Sequence, residues 1–463
     1  MRIAVGAAAS LLAIVLAVPA AGAAPGTTAH AVTTTATGLW RMDGYGTVLA
    51  IDARGAQEYQ TTAVSCLKGY FATAGRKPGT YDVEGAVLTV RPAPDGEHAR
   101  FGADIAVGHR QLRRIGSLPA ACTRPPATDP RTAFDVFWQS FEENYPFFAA
   151  KGIDWHAVRD RYRPLVHKTT PRAQLFDVFS RMITPLHDAH VLVQDGGRHY
   201  GVARPGTVIP TGELNDKVKK FVVGRDLAQA TDRQDFAGGL ITYADLKQQG
   251  LGYLRIASFD GYDQDDPSYT AQLAELDRAL DTVLTPARVR ALRGLVIDLR
   301  INGGGSDALG IRIAERLTDT PYVAYAKRAR NDPADPTRHT RPEPIPVTPY
   351  HGPRYTGPIT LLTGGSTVSA GETFTQALID RPGRTVRIGQ PTQGVFSDVM
   401  VRDLPNGMAV WLPNEEYLTR TGRTFDGTGI PPQISEPVFT DEEFAKNRDS
   451  AFDRAVELLR SGR

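Results

Sequence analysis

The chain has 463 residues, of which 41% are hydrophobic and 22% charged, with a formal net charge of +2. That length supports two or three domains, and the composition is that of an ordinary globular protein. So even a charge balance gives no electrostatic case for nucleic acid or another polyanion as a partner.

Arg2 precedes an apolar run from Val5 to Val18, then Pro19 and the small-residue triplet Ala21-Gly22-Ala23. This pattern predicts a secretory signal peptide over residues 1–23, cut after Ala23. The run is too short to span a bilayer comfortably. Residues 24–37 are small and Thr-rich and read as a flexible lead-in. No later stretch approaches 18 consecutive apolar residues, so the mature chain is expected to be secreted and free of the membrane.

Short β-prone runs follow, such as Thr47 to Ile51 and Ala86 to Val90. Turn pairs separate them at Asp43-Gly44, Arg54-Gly55, Glu84-Gly85 and Asp95-Gly96. They predict a small all-β domain over residues 38–125. Cys66 and Cys122 are the only cysteines, and in an exported chain two cysteines favour one disulfide over two buried thiols. Neither has a His or Cys at metal-ligand spacing. Pro119 to Pro130 is a proline-rich connector.

Residues 130–190 read as a helical segment. Phe134, Phe137, Trp138, Phe141 and Tyr145 form one helical stripe, which reads as core. Asp154 is placed to cap a second helix, with Val158, Tyr162 and Leu165 inward. Thr170-Pro171 opens a third. From residue 191 to 463 the pattern alternates. Strands are predicted at Gly252–Ile256, Gly294–Asp298, Ile359–Thr363 and Val386–Gly389, with amphipathic helical patterns between them. Such alternation specifies an α/β layer fold. Residues 328–355 are polar and proline-rich and read as a long surface loop.

The chemistry concentrates at Gly364-Gly-Ser-Thr-Val-Ser369-Ala-Gly-Glu372. An apolar strand feeds two glycines, and a helical pattern opens at Ser369. A serine there is exposed at a helix N-terminus, where free backbone N–H groups can hold an oxyanion. A serine nucleophile also needs a base. No lysine lies between Lys327 and Lys446, which leaves no local serine–lysine dyad. His187 and His190, at the junction between the third helix and a strand, are the candidate bases; as loop or capping residues they would have no catalytic role. The cluster Asn302-Gly-Gly-Gly305 follows a strand and precedes a helix. It lacks the Lys-Ser/Thr of a phosphate-binding loop, so it reads as half of an oxyanion hole or as a tight turn only.

Four motifs in order carry a family resemblance: Asp298-Leu-Arg-x-Asn-Gly-Gly-Gly305, Thr363-Gly-Gly-Ser-x-x-Ser-Ala-Gly-Glu372, Ile388-Gly-Gln-Pro-Thr-x-Gly394 and Gly427-x-Gly-Ile-Pro-Pro432. Across residues 130 to 440 they resemble the tail-specific (C-terminal processing) and tricorn-core serine peptidases. The junction Leu186-His-Asp-Ala-His190 matches the family's Asp-Gly-His, with Ala189 for glycine.

One branch of that family places a lysine after the Pro-Thr-Phe-Gly turn, and here that position is Val395. The tricorn-like branch uses the junction histidine, which maps to His190, and an acid before Gly-Ile-Pro, which maps to Asp426 where glutamate is commoner. A serine that relays between them is Ala189 here; Glu415 and Glu416 are other candidate acids. Fewer than 60 residues separate Val193 from Gly252, too few for the PDZ domain many relatives insert. The chain therefore resembles the PDZ-less branch that includes the interphotoreceptor retinoid-binding protein, a binder.

The resemblance implies a crotonase-like α/β core acting on peptides or unfolded protein. It implies Ser369 as nucleophile, His190 as base, Asp426 as supporting acid, and the Gly304 and Ala370 N–H groups as oxyanion hole, with no metal or organic cofactor. The alternatives are a non-catalytic binding module of the same fold and an ester-cleaving serine hydrolase.

Overall fold

The structure, a computed structural model, describes residues 35–247 and 250–462. The expected signal peptide and nearly all of the lead-in lie outside the described residues.

Eight antiparallel strands, from Gly38–Met42 to Arg110–Ile115, close into a barrel. Each pairs with the next in sequence, and the first pairs with the last through Leu39 opposite Ile115. Alternating side chains fill the interior, among them Trp40, Leu49, Val90 and Phe101. The barrel is thus closed by backbone pairing and not by its cysteines. The Cys66–Cys122 disulfide instead ties the strand Cys66–Ala74 to the connector's single 3-10 turn, Ala120–Thr123.

Three helices follow. Asp129 caps Pro130–Asn144, and Asp154 caps Trp155–Tyr162 by accepting the Ala157 N–H at 2.9 Å. The third, Arg172–Ile183, starts later than its sequence signal. Pro171 is its N-cap residue, and the Thr170 hydroxyl turns back to accept the His167 N–H at 2.8 Å. Leu165, expected inward, is 47% exposed, because a 3-10 turn over Arg163–Leu165 breaks the helical period and Val166 takes the buried place. The aromatic stripe is core as expected, with Phe137 stacked on Phe179 at 4.1 Å between centroids.

A seven-stranded mixed sheet forms the centre of the remaining chain. Its order is Thr231–Phe236, Ile241–Asp245, Leu251–Ile256, Gly294–Asp298, Ile359–Thr363, Thr385–Gly389, Ile434–Ser435. The strands run parallel from Leu251–Ile256 onward. Period-two alternation sends Leu295 and Ile297 to one face and Val296 to the other. The first face packs under helices Tyr269–Val283, Asp307–Glu315 and Ala370–Ala377. The second packs under Gly212–Arg225 and Ser450–Ser461.

The segment 328–355 is not simply a surface loop. Glu343–Val347 pairs antiparallel with Tyr322–Ala329, and Ile345, Val347 and Tyr355 are buried. Its many prolines, Pro344 and Pro346 included, mask an edge strand, where the missing proline N–H is tolerated. No helix among the described residues is long and apolar enough to cross a membrane.

Candidate active site

The strand Ile359–Thr363 ends in Gly364-Gly365, and the short strand Ser366–Thr367 then pairs in parallel with Ile301–Asn302. This pairing carries the second glycine cluster to the serine. Ser369 sits at the N-cap of the helix Ala370–Ala377 with φ +55° and ψ −120°. A side chain at positive φ stores roughly 1–3 kcal/mol of backbone strain. Gly304 faces it, at φ +83°, and a Cβ on Gly304 would stand 2.6 Å from the Ser369 Cβ. Only glycine lets the two segments meet.

Asn302 organises this contact. Its Nδ2 donates to Ile256 O at 2.9 Å, and its Oδ1 accepts the Gly304 N–H at 3.0 Å. The Gly304 N–H is therefore already engaged. Ala370 opens the helix, where N–H groups have no intrahelical acceptor. Below the glycines, Arg300 is fully buried between Asp298 and Asp449, with nitrogen–oxygen distances of 2.7 and 2.6 Å. Burial alone would raise the Asp298 carboxyl, but the Arg300 guanidinium holds it below the usual range. The Asp-Leu-Arg part of the motif is thus a strut between sheet and C-terminal helix.

Behind Ser369, Glu372 is fully buried. Its carboxyl accepts N–H groups from Gly394 (2.6 Å), Val395 (2.8 Å) and Ser369 itself (3.3 Å). Burial pushes it up to about 8, against those hydrogen bonds. The turn Pro391–Gly394 is in turn locked to the Gly427-x-Gly429-Ile motif. Ile430 N donates to Thr392 Oγ1 at 2.7 Å, and any Cβ on Gly429 would overlap Thr392 O.

His190 lies where the helical segment gives way to the strand Leu192–Asp195. That strand pairs with Ala409–Pro413, which pairs with Val399–Asp403. The His190 N–H donates to Asp188 Oδ1 at 3.0 Å, and Asp188 Oδ2 accepts the Tyr145 hydroxyl at 2.8 Å. The ring's Nδ1 is buried with no hydrogen-bond partner among the described residues. Burial lowers the His190 pKa, opposed by the charges of Asp188 and Asp398. That shift favours the neutral imidazole, the form in which a histidine can accept a proton. His187, by contrast, is exposed at φ +45°.

Asp426 is half-buried nearby, accepting the Thr424 hydroxyl at 2.5 Å and the Phe396 N–H at 3.3 Å. Burial, with Asp188 and Glu372 adding to it, raises its carboxyl well above the usual range. Glu415 and Glu416 are committed elsewhere: Glu415 to Tyr45 and Lys327, Glu416 to Arg328 and His339. Among the described residues no group of His, Cys, Asp or Glu is arranged to hold a metal ion.

Three participants escaped the sequence reading. Glu372 carried a signal, the Ser-x-x-Glu spacing of a capping box, but its second attachment at 394–395 is long-range. Asp398, paired with Lys327 at 3.0 Å, and Lys151, 3.9 Å from Asp188, had no local signal.

Residues 250–436 match peptidase family S41, and residues 126–184 match the tricorn protease C1 domain. The chain carries a peptidase family S41 domain. This S41 domain, of the serine-peptidase type, contains Ser369, Gly304, Glu372 and Asp426, whereas His190 lies just beyond the C1 match. A chloroplastic C-terminal processing peptidase of Tetradesmus obliquus is 26% identical over 190 residues, 40% of this chain. The match spans 35% of that relative's own length. A crystal structure of a Parabacteroides merdae protein assigned as a peptidase is 25% identical, with a TM-score of 0.60, covering 72% of this chain and 97% of its own. Mature CPAF complexed with lactacystin shares the fold at 12% identity and TM-score 0.51, over 72% of this chain and 99% of its own.

Proposed function

We propose that this chain is a secreted serine peptidase with a crotonase-like core that cleaves peptides or unfolded protein through an acyl-enzyme. Ser369 Oγ attacks the scissile carbonyl, and His190 takes its proton. The tetrahedral intermediate collapses as His190 returns that proton to the leaving amine. Water, deprotonated by the same imidazole, then releases the acyl group. The Ala370 N–H holds the oxyanion. The Gly304 N–H joins it by sharing or leaving its bond to Asn302. Asp426 supports the histidine at longer range, through the buried region it shares with Asp188.

The observation that carries this reading is Ser369 held at φ +55° at a helix start with Gly304 against its Cβ. A structural serine gains nothing from that strain. Fluorophosphonate labelling at Ser369, followed by matched peptide and ester substrates, tests it. No labelling sinks the reading, and ester cleavage without peptide cleavage redirects it to an esterase. A binding module is the second reading, motivated by the occupied Gly304 N–H and by Ala189. Export is supported by the apolar run from Val5 to Val18 and the disulfide. Terminal sequencing of the culture-medium protein should start at Ala24, and an intact Met1 would refute it.

A further inference from the structure

The barrel is docked against the S41 core beside the candidate site. The Ser306 hydroxyl donates to Ile105 O at 2.6 Å, Arg110 pairs with Asp398 at 3.4 Å, and the His109 N–H donates to Glu343 at 2.7 Å. Between the two lies an open cavity of about 570 Å³. Leu88, Phe101 and Ile105 line it from the barrel, and Gly305, Ser306 and Asp398 from the core. Both core flanks touch the machinery. Gly305 follows Gly304, which packs on Ser369, and the charge of Asp398 reaches His190.

We propose that this cavity is the pocket for a large apolar substrate side chain close to the scissile bond, which makes the N-terminal barrel a specificity element. The inference rests on the serine peptidase reading. A volume of this size is that of a small-ligand site. Apart from Glu84 and Arg110 its barrel wall is largely apolar, and Ile105 is 46% exposed there. Asp398 and Arg110 are paired with each other, and Asp398 also with Lys327, so neither offers a free counter-charge. Glu84 and Asp260 at the lining repel an acidic side chain.

The test uses peptides that differ only by Phe or Gly at each position flanking the cleaved bond. The wild-type protein should favour Phe at one position by about 10–200-fold in kcat/KM, the range a hydrophobic pocket supplies. Ala106 also lines the cavity, from the loop between the last two barrel strands, and Ala106→Trp places an indole in it. That variant should bring the preference to about threefold or less, while the Gly peptide and the rate of fluorophosphonate labelling stay unchanged. Ile105→Asp, at an exposed position, should do the same. An unchanged Phe preference in both variants, or none at any position in a labelled enzyme, overturns the pocket. Where the wild-type protein does not label at all, the peptidase reading fails separately. The pocket is then tested by binding of a fluorescein-tagged Phe peptide to Ser369→Ala. A Kd at least about tenfold weaker with Ala106→Trp sustains it, and an equal Kd overturns it.

Discussion

Glu372 Oε1 accepts the backbone N–H of Gly394 at 2.6 Å, joining the helix behind Ser369 to the turn Pro391–Gly394. Its other oxygen holds Val395 N and Ser369 N. One buried carboxyl thus sets the strained serine against the segment that leads on to Asp398, beside His190.

Glu372→Gln should lower stability by about 1–3 kcal/mol, because an amide donor then faces a backbone N–H donor. The wild-type carboxyl has a folded pKa of about 8 against an ordinary value of 4.5. Its proton therefore favours the folded state fully below 4.5, and that contribution is lost as pH rises to about 8. The stability gap between wild type and Glu372→Gln should narrow across this window, by at most about 1.4 kcal/mol per pH unit. Urea denaturation at pH 5, 7 and 8.5 measures it. A gap that stays flat from pH 5 to 8.5 would mean the acid is ionised throughout.

Ser369→Ala should lose about 10⁴ to 10⁶ in turnover and keep its fold. Ser366→Ala should stay active, since its hydroxyl donates to Val208 O at 2.8 Å and so ties the turn to that distant loop. Peptide cleavage with circular dichroism on both variants checks this; equal losses would misassign the nucleophile.

His190→Ala should abolish turnover and His187→Ala should keep most of it. Burial lowers the His190 pKa, so the acid limb of kcat/KM should have its midpoint below about 6.5. The sign for stability follows. Between the folded value and 6.5 the unfolded chain binds more protons, so stability rises with pH there. Asp426→Asn should be milder than His190→Ala, because its carboxyl bonds Thr424 and Phe396 N. An acid limb centred above pH 7 would assign the base to another group.

Replacing Cys66 and Cys122 by serine should destabilise the barrel end of the chain by about 4 kcal/mol in the chain-entropy account of a bridge between residues 56 apart. The barrel strands should still pair, because Leu39 and Ile115 close it without the bridge. Thermal melts with and without reductant provide the measurement. No shift would mean the connector is already held by packing.

Elements were legible where the physics is local. The aromatic stripe of Phe134, Phe137 and Phe141 announced its helix and its burial through a 3.6-residue period. The parallel strands were visible as short apolar runs. Where an element depended on a partner strand, local signals misled. Pro344 and Pro346 read as loop, yet Glu343–Val347 is paired. Leu165 read as inward, yet a 3-10 turn sends it to solvent.

By itself, the sequence determined the α/β layering, the serine at a strand-to-helix turn and the pairing of its two cysteines, because each follows from neighbours along the chain or from a count of two. Only the tertiary structure decided which groups face one another. The pairing of Ile301–Asn302 with Ser366–Thr367 brings Gly304 to Ser369 across more than 60 residues. Sheet pairings place His190 near Asp398, and barrel docking shapes the cavity beside them. Long-range register depends on the packing of the whole core, and no local window of residues encodes it.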